Sequence, residues 1–144
     1  MKTFISIVVL ISIAGTLAQK KTECQESREK ALKSNARIKA IIPVCDTNGD
    51  YAGLQCHEGS KFCSCWRKDG TPITQPSGKI KACECHRQKD ESSKKGLIGA
   101  FIPQCAEDGK FHKKQCWGST GHCWCADPET GKNTTQRVRG KLSC

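Results

Sequence analysis

Large apolar side chains are scarce in this chain: four Phe, three Trp and one Tyr serve 144 residues. Divided over small units, so few cannot gather a core that offsets chain entropy unaided. Long hydrophobic runs are missing as well. The one apolar stretch, Phe4 to Ala14, is interrupted by Ser6 and Ser12 and falls short of the roughly 20 residues a spanning helix needs, so membrane insertion is not expected. There is no Cys-x-x-Cys knuckle, the unit from which zinc ribbons are built. The four histidines (His57, His86, His112, His122) share no repeated position and no partner triad. These absences argue against a metal site, a cofactor and an enzyme.

Cysteine, in contrast, is abundant, with twelve residues. That density reads as a disulfide scaffold in an exported protein, and the even number agrees with full pairing. The N-terminus fits export. Lys2 gives a positive start, the apolar stretch follows, and Thr16-Leu17-Ala18 offers the small residues of a cleavage site. A signal peptide over 1–18 is expected, and with it an extracellular, secreted protein. The net charge is +10, but the basic residues occur as scattered pairs (Lys20-Lys21, Lys94-Lys95, Lys113-Lys114) and one looser group, Arg137 to Lys141. Without aromatic interleaving this is a solvated surface that favours an acidic partner, and nucleic acid is not expected.

An internal repeat organises the rest. Cys24, Cys45, Cys56, Cys63, Cys65 and Cys83 recur as Cys85, Cys105, Cys116, Cys123, Cys125 and Cys144, offset by 60 or 61 residues. Ile42-Pro43-Val44-Cys45 recurs as Ile102-Pro103-Gln104-Cys105, Asn48-Gly49-Asp50-Tyr51 as Asp108-Gly109-Lys110-Phe111, and Gln55-Cys56 as Gln115-Cys116. The modules span 22–83 and 84–144. They meet at Cys83-Glu84-Cys85, too short a joint for a flexible linker, so a restricted mutual orientation is expected.

Thr22 with Gln25 has the pattern of a capping box, and a helix is expected from Glu23 to about Ala36. Its counterpart from Glu84 is expected to be shorter, because Gly96 and Gly99 interrupt it. Turns at Asn48-Gly49 and Asp108-Gly109 precede two expected hairpins, Tyr51–Cys56 with Phe62–Trp66 and Phe111–Cys116 with His122–Ala126. Six cysteines per module allow about fifteen pairings, and sequence alone does not choose among them. Cys63 and Cys65 leave one face of a strand near the upper limit of bridging distance, which favours separate bridges from each. Cys56 to Cys63 with Cys65 to Cys83 satisfies this.

The run Gln115-Cys116-Trp117-Gly118-Ser119-Thr120-Gly121-His122-Cys123-Trp124-Cys125 resembles the thyroglobulin type-1 domain family, in which a Gln-Cys pair precedes a small-residue loop and Cys-Trp-Cys. The resemblance implies a small disulfide-rich α+β fold: two tandem modules, each a short N-terminal helix plus a small antiparallel hairpin. It also implies the pairing Cys24-Cys45, Cys56-Cys63, Cys65-Cys83, Cys85-Cys105, Cys116-Cys123 and Cys125-Cys144. Inhibitory members, the thyropins, chiefly block papain-like cysteine proteases. The module from Cys85 to Cys144 is similar to their inhibitory repeats, and the two-module layout resembles thyropin-like proteins of arthropod venoms, notably in Leu54-Gln55-Cys56 and Ser60-Lys61-Phe62-Cys63.

By this resemblance the expected function is non-covalent inhibition by a monomer, as a venom component, with loops wedged into the protease cleft. The candidate residues are Gly96, Leu97, Ile98, Gly99, Gly118, Ser119, Thr120, Gly121 and His122, with Phe101 as a further apolar anchor and Thr134 to Arg139 as a third loop. Glycines at Gly96, Gly99, Gly118 and Gly121 would let backbone approach a narrow groove. Module one departs from the pattern, with Cys63-Ser64-Cys65-Trp66 and the loop His57 to Phe62, so its share in inhibition is in question. Trp124 fits core packing as well as contact, and Gln115 fits bonding to backbone. The alternatives are a non-inhibitory growth-factor- or matrix-binding module, or a basic disulfide-rich toxin. Asn133-Thr134-Thr135 is an N-glycosylation acceptor pattern.

Overall fold

The computed structural model describes residues 20–34 and 41–144; the expected signal peptide lies outside them. Helix α1 covers Glu23–Lys33 and opens on a complete capping box. The Thr22 hydroxyl accepts from the Gln25 N–H, and the Gln25 side chain accepts from the Thr22 N–H at 3.1 Å. Glu23 and Glu26 in the first turn and Lys30 and Lys33 in the last complement the helix dipole. Only Cys24 of this helix is buried, so its half of the Cys24–Cys45 disulfide, not an apolar stripe, ties it to the module. It ends at Lys33 with Ser34 as cap; the remainder of the expected span, Asn35 and Ala36, lies outside the described residues.

Helix α2, Glu84–Lys94, is not the shorter one: both helices have 11 residues. Gly96 lies beyond the last turn, where its N–H donates to the Ser93 carbonyl at 3.2 Å, so it marks a stop that α1 reaches at the same length. The first hairpin pairs β1 (Leu54–Cys56) with β2 (Cys63–Cys65), Gln55 facing Ser64. The second pairs β3 (Lys114–Trp117) with β4 (His122–Cys125), Gln115 facing Trp124. A third strand that the sequence did not suggest, β5 (Val138–Arg139), adds to the free side of β4. Tyr51 and Phe111, where the first strands were expected to begin, stand outside β1 and β3. Their N–H groups donate to Lys68 and Pro128 carbonyls, and they form lone bridges to Cys45 and Cys105.

Six disulfides join Cys24–Cys45, Cys56–Cys63, Cys65–Cys83, Cys85–Cys105, Cys116–Cys123 and Cys125–Cys144. Half-cystines dominate the first core, where Cys63, Cys65, Ile80 and Cys83 are packed by Leu54 and Ile73. Cys85, Phe111, Trp124, Cys125 and Ala126 are buried apolar residues of the second module. Each core also encloses one amide. Gln55 accepts from the Val44 N–H at 2.9 Å and donates to the Val44 and Ala52 carbonyls, both at 2.8 Å. Gln115 does the same with Gln104 and His112 at 2.9, 2.8 and 2.8 Å. Buried polar groups need such satisfaction, and here one side chain sews the second-cysteine segment to the hairpin.

The joint between modules is built, not strung. Cys83, bridged to Cys65, is also the N-cap of α2. Lys81 and Ala82 N–H groups both donate to the Asp108 carbonyl, at 2.8 and 2.9 Å. From α2, the Arg87 guanidinium donates to the Trp66 and Tyr51 carbonyls at 2.7 and 2.6 Å. The Arg67 guanidinium holds both Asp90 carboxylate oxygens at 2.7 Å.

Candidate functional site

The second module brings three of the sequence-expected loops to one end. The first loop leaves α2 at Lys95 and turns at Leu97, whose carbonyl accepts from the Ala100 N–H at 3.1 Å. Leu97 is 66% exposed and Ile98 fully so, the greatest exposures of any large hydrophobic side chain among the described residues. The loop is nevertheless fixed. The Gly99 carbonyl accepts from the Trp117 Nε1–H at 2.7 Å and from the Ser119 hydroxyl at 2.8 Å. Gly99 has φ +75°, so glycine allows the turn, while a Cβ there would meet the Ser119 Cβ only in ordinary contact at 3.5 Å.

The second loop is the β3–β4 turn. Thr120 and Gly121 N–H groups donate to the Trp117 carbonyl at 3.2 and 2.9 Å, and the Cys116–Cys123 bridge closes its base. Gly118 and Gly121 are exposed, with open space where a Cβ would stand. His122 pairs with Trp117 on one side and Arg139 on the other. The third loop is pinned to β4, the Thr135 hydroxyl accepting from the Cys125 N–H at 2.9 Å and the Thr134 N–H donating to the Cys125 carbonyl at 2.7 Å. From it, the Arg137 guanidinium lies 4.5 Å from the Trp124 ring centre and 5.6 Å from that of Trp117. Phe101 completes the stack, 4.8 Å from Trp124 and 6.4 Å from Trp117.

Trp124 is therefore core: 2% exposed, it is the floor on which Phe101 and Arg137 rest. Phe101 is directed inward as packing and is only partly exposed. Two residues gained roles that sequence reasoning did not give them, Trp117 as the latch and Arg137 as the cationic clamp. A tryptophan directly after the strand cysteine, beside a run of small residues too short to cover it, was the available signal. Asn133 is exposed at the start of the third loop, with a lone bridge to Ala126.

Module one lacks this constellation. Ser64 takes the place of Trp124, and the Trp66 Nε1–H reaches back to its hydroxyl at 2.9 Å while the ring leans on Tyr51, 5.8 Å away. The tryptophan thus keeps its face of the hairpin but covers a different part of it. Its turn, His57 to Phe62, closes on itself by the Ser60 N–H donating to the His57 carbonyl at 3.1 Å, leaving Phe62 exposed. Residues 35–40, equivalent in the repeat to the first loop, lie outside the described residues.

Among the described residues no cluster of His, Cys, Asp and Glu could hold a metal ion, no cysteine is free, and no helix is long and apolar enough to cross a membrane. What the site offers chemically is shape: a rigid, three-loop edge with two projecting aliphatic side chains.

The chain matches the thyroglobulin type-1 repeat over residues 18–85 and again over 83–144. It is similar to U20-hexatoxin-Hi1a of Hadronyche infensa, 53% identical over 146 residues that take in 100% of both chains. U24-ctenitoxin-Pn1a of Phoneutria nigriventer is 44% identical over 110 residues, covering 76% of this chain and 85% of its own. Equistatin of Actinia equina is 43% identical over 72 residues, 50% of this chain and 30% of its own. Two full-length repeat matches and a relative that aligns from end to end lead to one conclusion: the chain belongs to the thyroglobulin type-1 repeat family, as a tandem of two repeats.

Proposed function

We propose that this chain is an exported, non-covalent inhibitor of papain-like cysteine proteases that works through the loop end of its second module. The observation that carries the reading is the Gly99 carbonyl, held by Trp117 and Ser119 at once, with Leu97 and Ile98 projecting beside it. Substrate clefts of such enzymes are narrow and partly apolar, and a loop already fixed in its bound shape loses little ordering entropy on docking. The bridges Cys85–Cys105 and Cys116–Cys123 brace the two loops from below and would keep them intact against the target. No reactive group takes part: the inhibitor fills the cleft and covers the catalytic thiol. It is not an enzyme in this reading, and it acts as a monomer.

Resemblance to the inhibitory thyropins supports this choice of target. The toxin names of U20-hexatoxin-Hi1a and U24-ctenitoxin-Pn1a favour release as a venom component. The test is inhibition of papain and of a lysosomal cathepsin by the full oxidised chain, beside the variant Leu97→Ala/Ile98→Ala. Inhibition by the parent, reduced at least tenfold in the variant with its melting temperature unchanged, supports the proposal. Absence of inhibition at micromolar protein overturns it.

A further inference from the structure

The acidic side chains of module two lie in two turns and one helix, outside the three loops, with Glu91 one helical turn before Lys95. Glu107 is paired with Lys79 of module one at 2.7 Å, and the Asp108 carbonyl receives Lys81 and Ala82 in the joint. Glu129 pairs with Lys110, and Asp127 ties its own turn by accepting from the Glu129 and Thr130 N–H groups at 3.0 and 2.8 Å. In α2, Asp90 holds Arg67 and Lys94, leaving Glu84 and Glu91 on the helix. The three loops themselves, 95–101, 118–122 and 134–139, contain no acidic residue and three cations, Lys95, Arg137 and Arg139, with Lys141 two residues beyond the third. Among the described residues none of these four has a carboxylate partner within ion-pair distance.

Their placement follows from the fold. Arg137 is drawn over the indoles of Trp117 and Trp124. Arg139 faces His122 across the β4–β5 pair, next to the turn that carries Ser119. Lys95 stands where the first loop leaves α2, one residue before Gly96. The cations thus border the same edge from which Leu97 and Ile98 project. In module one the equivalent turn carries Glu58 beside Lys61.

Building on the inhibitory reading, we infer that this border selects the target: the loop end docks on papain-like proteases whose cleft rim is acidic, and the cations set the rate of association. A cationic rim facing an acidic one raises encounter rates by about tenfold or more at low ionic strength, and the gain fades as salt shortens the Debye length. The aliphatic pair then supplies the close contact in the cleft. A sulfated polysaccharide would use the cations equally well but has no use for Leu97 and Ile98, and for that reason a protein cleft is the better match.

The test compares the full oxidised chain with Lys95→Gln/Arg139→Gln, a variant that leaves Arg137 on its rings. Association rate constants are measured against one papain-like protease with an acidic cleft rim and one with a neutral or basic rim, at about 20 mM and about 300 mM salt. The expected result is faster binding of the parent to the acidic-rimmed enzyme. That advantage falls about tenfold on adding salt or on the double substitution, while dissociation rates stay within about twofold. Equal association rates for parent and variant, with both still inhibiting, overturn the charge proposal and leave the inhibitory reading standing. So does a variant that loses only its retention on heparin. Failure of the parent to inhibit either enzyme overturns both.

Discussion

The Trp117 Nε1–H donates to the Gly99 carbonyl at 2.7 Å across 18 residues of sequence. The Ser119 hydroxyl uses the other lone pair of the same oxygen at 2.8 Å. One peptide carbonyl therefore couples the segment after α2 to the β3–β4 turn, and it does so on the surface, where neither loop has a core of its own. The aromatic stack beneath makes this possible. Phe101 and Arg137, from two different loops, both pack against the indoles, so Trp117 is oriented before it donates.

Trp117→Phe keeps a ring for Phe101 and Arg137 and removes only the donor. A single hydrogen bond of this kind contributes about 1 kcal/mol, and its loss frees the first loop without disturbing the core. The inhibition constant against a papain-like protease is expected to rise about fivefold, with the melting temperature nearly unchanged. Ser119→Ala behaves alike, and the double variant costs more than the two singles together, because the first loss leaves the second donor to hold the loop. Strict additivity would show that the two bonds do not act on one element.

Gln115→Met tests a different layer. The side chain is 1% exposed, and its removal orphans one backbone N–H and two carbonyls inside the module. Each unsatisfied group costs about 1 kcal/mol or more, so a loss of roughly 3 kcal/mol is expected in urea unfolding with the disulfides intact. Gln55→Met is expected to match it, since the three bonds are reproduced in module one. A change below about 1 kcal/mol at either position would mean that water or a shifted backbone replaces the amide.

These two glutamines mark how far sequence reading reached. Duplication, helix starts and hairpin positions are written in local patterns: cysteine spacing, the Thr22–Gln25 capping box, glycine turns. The buried Gln-Cys pairs are repeated visibly, but that the amide faces inward depends on Gln55 opposing Ser64 and Gln115 opposing Trp124 across a hairpin, a register the pattern does not state. Equal helix lengths were hidden because Gly96 resembles an interruption when it is a stop. The joint was unreadable beyond its shortness. Arg67 and Asp90 are 23 residues apart, Arg87 and Tyr51 36, and all four are ordinary polar residues until the fold juxtaposes them. Likewise the latch needs Gly99 and Trp117 in space; each alone is a glycine in a loop and an aromatic after a strand.

Gly109→Ala is expected to be among the most damaging single-methyl additions. The residue has φ +89°, and a Cβ would fall 1.7 Å from the Ala82 carbonyl oxygen, a backbone atom with no room to yield. The left-handed backbone alone costs about 1 kcal/mol with a side chain, and relieving the overlap breaks the bonds from Lys81 and Ala82 to Asp108. The joint should loosen, seen as a lower melting temperature and as faster amide exchange at Lys81 and Ala82. Gly118→Ala, at a position with open space around it, serves as control and should leave stability within about 0.5 kcal/mol.

Asp90 should make the joint's stability respond to pH in a predictable direction, a response that Asp90→Asn removes. In the folded protein the Asp90 carboxyl lies below its ordinary value, first because the Arg67 guanidinium bonds it, with the Lys94 charge adding and burial opposing. Unfolded, the group returns to about 3.9. A carboxyl depressed on folding contributes stability that is fully present above the unfolded value and is lost as pH falls through the folded one. Arg67 stays charged throughout, its own protonation favoured by Asp90. The side chains are 28% and 15% exposed, so the bidentate pair is only partly screened, and Asp90→Asn should cost about 1 to 2 kcal/mol at neutral pH. That difference from the parent should hold down to about pH 5, shrink below pH 4 and disappear once both states are protonated. Urea midpoints of the two proteins across this range give the measurement. A penalty that is the same at pH 2 as at pH 7 would place the cost in packing of the asparagine, and not in the charge that Arg67 holds.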